Sequence, residues 1–204
     1  MSPRSVADAV GRGLRVAWLP NSLTLLRVGL VPIIVVALLS PTPPARATAG
    51  LCFLVACLTD FLDGWLARRH GIATALGQHL DPLADKIIVA AAMIMLAAMP
   101  PEPRVPAWMA VVIVVREIAV TGLRGIASSS GILLPAEELG KYKMIFQMFA
   151  LEALLVHFPY AIPGTGLAID FHAAGMVFLW VALVLSVWSG ADYHVRILRQ
   201  VRLD

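Results

Sequence analysis

Four aspartates give the first indication of chemistry. Asp60 and Asp63 stand at i and i+3, and Asp81 and Asp85 at i and i+4. At about 100° per residue, each pair projects from one face of a helix. Four carboxylates brought together repel one another and must either hold protons or bind cations. An oxygen-only set suits a hard divalent ion such as magnesium or manganese. Taken singly, each aspartate could instead cap a helix or pair with Arg68, Arg69 or Lys86. Asp81 precedes Pro82, a residue suited to a first helical position, so an N-cap role is also open to it. Gly64, Ala67 and Gly77 accompany the aspartates. Such small residues let a bulky ligand approach the backbone, or let helices pack closely.

A second group is cationic. Arg116 and Arg124 bracket the segment REIAVTGLR, and Lys141 and Lys143 fall in GKYKMIFQ. A phosphate-bearing substrate wants such groups, since arginine offers a bidentate fork and lysine a point charge. Arg116 has another reading, as an ion-pair partner of Glu117 or Glu152. Lys141, Lys143, Arg196, Arg199 and Arg202 could equally attract anionic lipid beside the membrane. His70 and His79 lack ligand spacing and read as solvated loop residues. Cys52 and Cys57 lie five apart in one apolar run and read as small hydrophobes. Trp65, Trp108, Trp180 and Trp188 read as interfacial anchors or packing residues.

The elements that must position these residues follow from composition. Of 204 residues, 59% are hydrophobic and 14% charged, against roughly 45–50% and 25% in an ordinary soluble domain. With a mean hydropathy of +0.83, the chain is too apolar for a single buried core and excludes intrinsic disorder. The apolar runs are continuous, as in VPIIVVALL from Val31 and IIVAAAMIMLAAM from Ile87. They lack the alternation of a transmembrane barrel, so helices are expected.

Six spans are expected in one domain over residues 1–204: Leu23–Leu39, Ala49–Leu66, Pro82–Met99, Trp108–Ile126, Lys143–Phe158 and Ala173–Ser189. No cleavable signal is expected, because the first apolar run starts late and continues too long. Before it, Val6, Val10, Leu14 and Trp18 recur every four residues, which suggests a helix over 5–19 lying in the interface. Proline-rich breaks (SPTPPAR, MPPEPRVP and PYAIPGTG) read as short turns. Placing both termini, the basic tail 190–204 and the two longer connections on one side leaves Arg46 and Arg104 as the only cations opposite. The positive-inside rule makes the crowded side cytoplasmic.

Written out, Asp60-Phe-Leu-Asp63-Gly64-Trp-Leu-Ala67-Arg68, eight residues, Gly77, three residues, Asp81, three residues and Asp85 resembles the signature DxxDGxxARx8Gx3Dx3D of the CDP-alcohol phosphatidyltransferase family. The resemblance implies an all-α, polytopic membrane enzyme with six transmembrane helices, acting as a homodimer in the inner membrane of a bacterium. It would move a phosphate-linked group from a CDP-alcohol to an acceptor hydroxyl and release CMP, with two Mg2+ or Mn2+ ions. On this chain it implies Asp60, Asp63, Asp81 and Asp85 as metal ligands, with Asp85 also as the base. The CDP moiety would be held around Asp60, Asp63, Gly64, Ala67, Arg68 and Gly77, with Asn21 and Thr24.

The segments around Arg116 to Arg124 and Lys141 to Lys143, and Pro20-Asn21-Ser22-Leu23-Thr24-Leu25-Leu26-Arg27, are similar to those of the family's phosphatidylglycerophosphate-forming branch. Met144 departs from that pattern, where threonine is expected. The branch implies CDP-diacylglycerol and glycerol 3-phosphate as substrates, with Arg116, Arg124, Lys141 and Lys143 binding the acceptor phosphate and no nucleic acid as partner. Synthesis of phosphatidylinositol phosphate or phosphatidylserine is the alternative within the class. An ion channel or transporter would also carry intramembrane carboxylates, although transporter sites usually lie at the midplane and these residues cluster at one edge.

Overall fold

The computed structural model describes residues 24–70, 75–99, 104–129, 138–161, 164 and 168–201, without the side chains of 63–70, 75–82, 198, 200 and 201. The expected interfacial helix over 5–19 lies outside the described residues. Among them the chain is almost entirely helical. The helices are α1 Thr24–Leu39, α2 Pro43–His70, α3 Ala75–Ala98, α4 Ala107–Ser129, α5 Glu138–Val156 and α6 Phe171–Val201. Each overlaps one of the six apolar segments.

The helix ends follow from local chemistry. Thr42 begins α2 by accepting the Arg46 amide on its carbonyl at 3.1 Å, and Pro43 supplies the fixed φ of a first helical residue. Asp170 caps α6, its Oδ1 accepting the Ala173 amide at 3.0 Å. At the end of α5, His157 turns out with φ of 64° while its amide still bonds the Ala153 carbonyl at 2.9 Å. That left-handed residue closes the helix.

Three expectations need correction. The helix α3 begins at Ala75, six residues before Asp81, because ALGQHL continues the helical register ahead of the apolar run. Asp81 is therefore interior and cannot be an N-cap. His70 closes α2 and His79 lies within α3, so neither belongs to a loop. The third proline-rich break is more than a turn: β1 (Pro159–Ala161) pairs antiparallel with β2 (Ala168–Asp170), Tyr160 opposite Ile169.

The helices alternate in direction, which gathers their ends into two sets. At one end, Arg46 donates to the Leu38 carbonyl at 2.7 Å and to Met99 Sδ at 3.4 Å. Arg104 donates to the Leu154 carbonyl at 3.2 Å. These two arginines are buried and sit on the carbonyl-rich ends of α1 and α5, where positive charge is favoured. Burial, and then the charge of Arg46, push Arg104 down to about 10. The remaining charged residues of interest lie at the opposite end.

Helix α5 occupies the centre, packed against α2, α3 and α6, and buries Leu151, Leu154 and Leu155 completely. It approaches α6 so closely that a Cβ on Gly175 would stand 2.8 Å from Leu154 Cγ and 3.1 Å from the Leu154 amide nitrogen. The outer faces remain apolar: Val111, Val115 and Ile118 on α4, and Val177, Trp180 and Val184 on α6, are exposed. The Trp108 and Trp180 rings lie 5.6 Å apart on this outer face. Within α2 and α6, Pro43–Leu62 (20 residues) and Phe171–Ile197 (27 residues) are long and apolar enough to cross a membrane. Only 28% of each window is buried by protein, which suits a lipid-facing frame.

Candidate active site

Alternation brings the start of α1, the far half of α2 and the early part of α3 together. Arg27 on α1 donates from Nη1 to Asp60 Oδ1 on α2 at 2.6 Å. Asp60 in turn lies within electrostatic reach of Asp85 on α3. Asp63 and Asp81 are carried by the same two helices, one turn from Asp60 and Asp85 respectively, and their side chains lie outside those described. The same holds for Gly64, Ala67, Arg68 and Gly77, and Asn21 lies outside the described residues altogether. Thr24 is buried at the start of α1. Cys57, one turn before Asp60, directs its thiol to Met148 Sδ at 3.5 Å.

Beside Asp85 opens a cavity of about 290 Å³ between α3, α4, α5 and α6. Its walls unite all four cations singled out from the sequence: Arg116 and Arg124 from α4, Lys141 and Lys143 from α5. Spacing contributes to the first pair, since residues eight apart on a helix lie about 80° apart around its axis, within one broad face. Lys86 adds a fifth positive charge and Glu117 joins Asp85 as the second negative one. The excess of three positive charges suits a phosphomonoester dianion.

The cations are held from several directions. Arg116 donates from Nε to the Ser186 carbonyl at 3.0 Å, from Nη2 to Ser189 Oγ at 2.6 Å and from Nη1 to Glu117 Oε1 at 3.3 Å. The side chain passes over Gly190, where a Cβ would stand 3.2 Å from Arg116 Cγ. Lys143, only 6% exposed, ion-pairs with Glu117. Arg124 lies over the Tyr193 ring at 5.6 Å, a cation–π contact.

Of the two partners considered for Arg116, Glu117 is the one observed. Glu152 lies elsewhere, facing Gly50 of α2. Ser189, Tyr193 and the close approach at Gly190 carry no signal in a single sequence, because they are contacts between helices far apart in the chain. Glu117 enters the sequence reading only as a possible ion-pair partner of Arg116.

A model of the CDP-alcohol phosphatidyltransferase family matches residues 17–188, a range that contains Asp60 to Asp85 and the cationic wall from Arg116 to Lys143. The chain belongs to that family. Its members are transferases, and the family is generally dependent on divalent metal. Relatives within it cover nearly the whole chain. A CDP-diacylglycerol–glycerol-3-phosphate 3-phosphatidyltransferase of Bacillus subtilis (strain 168) is 38% identical over 188 residues, 86% of this chain and 92% of the relative. A protein of the same name from Rickettsia bellii (strain RML369-C) is 34% identical over 175 residues, again 86% and 92%. A probable phosphatidylglycerophosphate synthase of Mycobacterium tuberculosis (strain CDC 1551 / Oshkosh) is 37% identical over 190 residues, 92% of this chain and 85% of the relative. With this CDP-alcohol phosphatidyltransferase frame, the apolar outer faces of α2 and α6 belong to a helical membrane protein.

Proposed function

We propose that the chain transfers the phosphatidyl group of CDP-diacylglycerol to the primary hydroxyl of sn-glycerol 3-phosphate, giving phosphatidylglycerophosphate and CMP. The observation that carries this reading is the cavity in which Asp85 shares walls with Arg116, Arg124, Lys141 and Lys143. An acceptor with its phosphate on those cations would present its hydroxyl to Asp85, the carboxylate assigned to take the proton. Tyr193, 3% exposed and with its hydroxyl otherwise unbonded, would add a donor to the phosphate beside Arg124. The relatives' names agree with this choice of substrates.

Asp60, Asp63, Asp81 and Asp85 would hold two Mg2+ or Mn2+ ions, shared among the four carboxylates. The donor set fits: Asp60 and Asp85 are carboxylates within electrostatic reach of each other, and Asp60 already pairs with a cation, Arg27. Bound metal would neutralise charge developing on the departing CMP. Thr24, Gly64, Ala67, Arg68 and Gly77, with Asn21, would surround the cytidine diphosphate. The six helices would each cross the inner membrane of a bacterium, with this end cytoplasmic, and two copies would associate as a homodimer.

The test is CMP release by the purified protein in detergent, with CDP-diacylglycerol and a panel of glycerol 3-phosphate, serine and inositol phosphate. Glycerol 3-phosphate should be the acceptor used. Turnover of serine or inositol phosphate with none of glycerol 3-phosphate would overturn the proposal.

A further inference from the structure

Behind Asp85 the acceptor cavity adjoins a chamber of about 30 Å³. Asp85, Lys86, Glu117, Lys143 and Met144 line both spaces. Gln147, one turn beyond Lys143 on α5, lines only the inner chamber, whose far side is formed by Val89 and Met148. Gln147 is 4% exposed and its Oε1 has no hydrogen-bond partner. A buried amide oxygen is normally satisfied, and a space of this size holds one water-sized group.

The acceptor assigned above carries three groups: a phosphate, the primary hydroxyl that reacts and a secondary hydroxyl between them. With the phosphate on the cationic wall and the reacting hydroxyl at Asp85, the secondary hydroxyl is left to find a partner next to Asp85. We infer that Gln147 is a specificity-determining residue that receives this second hydroxyl in the inner chamber, selecting phosphate esters with vicinal hydroxyls over those lacking the middle one. The inference rests on the glycerol 3-phosphate reading and names the side chain that reads the polyol.

The experiment compares glycerol 3-phosphate with 3-hydroxypropyl phosphate, which keeps the phosphate and the primary hydroxyl, by CMP release from CDP-diacylglycerol. The unaltered protein should favour glycerol 3-phosphate by about 10- to 100-fold in kcat/KM, since a site built to bond a hydroxyl penalises its absence. Gln147→Leu should erase that preference by losing rate on glycerol 3-phosphate while keeping its rate on the analogue. An unchanged preference, or an equal loss on both acceptors, overturns the role of Gln147. Gln147→Met is measured alongside, and inactivity of both variants on both acceptors assigns the residue to packing and likewise overturns it. Turnover of glycerol 3-phosphate without any preference in the unaltered protein rejects the inference alone; turnover of neither acceptor rejects the glycerol 3-phosphate reading itself.

Discussion

Arg27 at the start of α1 and Asp60 near the far end of α2 meet at 2.6 Å, with the arginine 1% exposed and the aspartate 34% exposed. The contact ties a buried cation outside the aspartate signature to one of its carboxylates, across 33 residues of chain. The guanidinium therefore supplies Asp60 with the electrostatic service that a divalent ion bound there would share.

Gln in place of Arg27 should lower the thermal midpoint most when metal is removed by EDTA. Breaking a buried ion pair costs about 3–5 kcal/mol, and the partial exposure of Asp60 brings the expectation down to about 1–3 kcal/mol. Added Mg2+ or Mn2+ should recover more stability in Arg27→Gln than in the unaltered protein. Equal stabilisation of both by metal would contradict the shared role.

Glu117 and Lys143 form a second buried pair, between α4 and α5. Glu117→Ala leaves the lysine's charge without that partner and beside Arg116, and should cost about 2–4 kcal/mol in denaturant unfolding. Adding Lys143→Met should recover part of the loss, because the uncompensated charge is gone. A double variant no more stable than Glu117→Ala alone would mean that the pair does not govern Lys143.

Alanine at Gly190 should leave stability within about 1 kcal/mol, helix propensity offsetting some crowding, yet disturb Arg116. Its Cβ would stand 3.2 Å from Arg116 Cγ and 3.3 Å from Nε. We expect KM for glycerol 3-phosphate to rise about 3- to 10-fold through misplacement of the guanidinium, with KM for CDP-diacylglycerol unmoved. Unchanged acceptor kinetics would show that Arg116 shifts without consequence.

Gly175→Ala tests the α5–α6 contact. Helix propensity favours alanine by about 1 kcal/mol, but the new Cβ meets the Leu154 backbone nitrogen at 3.1 Å, and backbone yields less readily than a side-chain tip. Overpacking costs of about 1–3 kcal/mol should make the variant less stable in thermal unfolding. A gain in stability would show that the two helices separate easily at this point.

The frame was legible because lipid and water impose opposite demands on a sequence. Continuous apolar runs marked all six helices, although α2 starts at Pro43, six residues before the expected Ala49 and inside the segment SPTPPAR that reads as a turn. The polar flanks of α2 and α3 hid further helix: ALGQHL reads as connection by hydropathy, yet continues α3 back to Ala75. The strand pair over Pro159–Asp170 was invisible, since PYAIPGTG carries turn residues and no alternation long enough to mark a strand.

At the site, helical spacing assembled Arg116 with Arg124, and the alternation of spans brought Lys141 and Lys143 to them. The sequence also separated Arg46 and Arg104 from the other cations. That both are buried on helix carbonyls depends on how helix ends meet, which hydropathy does not record. The same holds for Tyr193 over Arg124 and for Gln147 behind Asp85, each set by packing between distant helices.

The most direct measurement is steady-state kinetics of Arg124→Gln in both substrates. Arg124 lies on the cavity wall against Tyr193 and belongs to none of the four aspartates' helices. Loss of one charge-assisted phosphate contact should raise KM for glycerol 3-phosphate about 10- to 100-fold, with KM for CDP-diacylglycerol within about twofold of the unaltered protein. A rise in KM for CDP-diacylglycerol with none for glycerol 3-phosphate would contradict the assignment of this cavity to the acceptor.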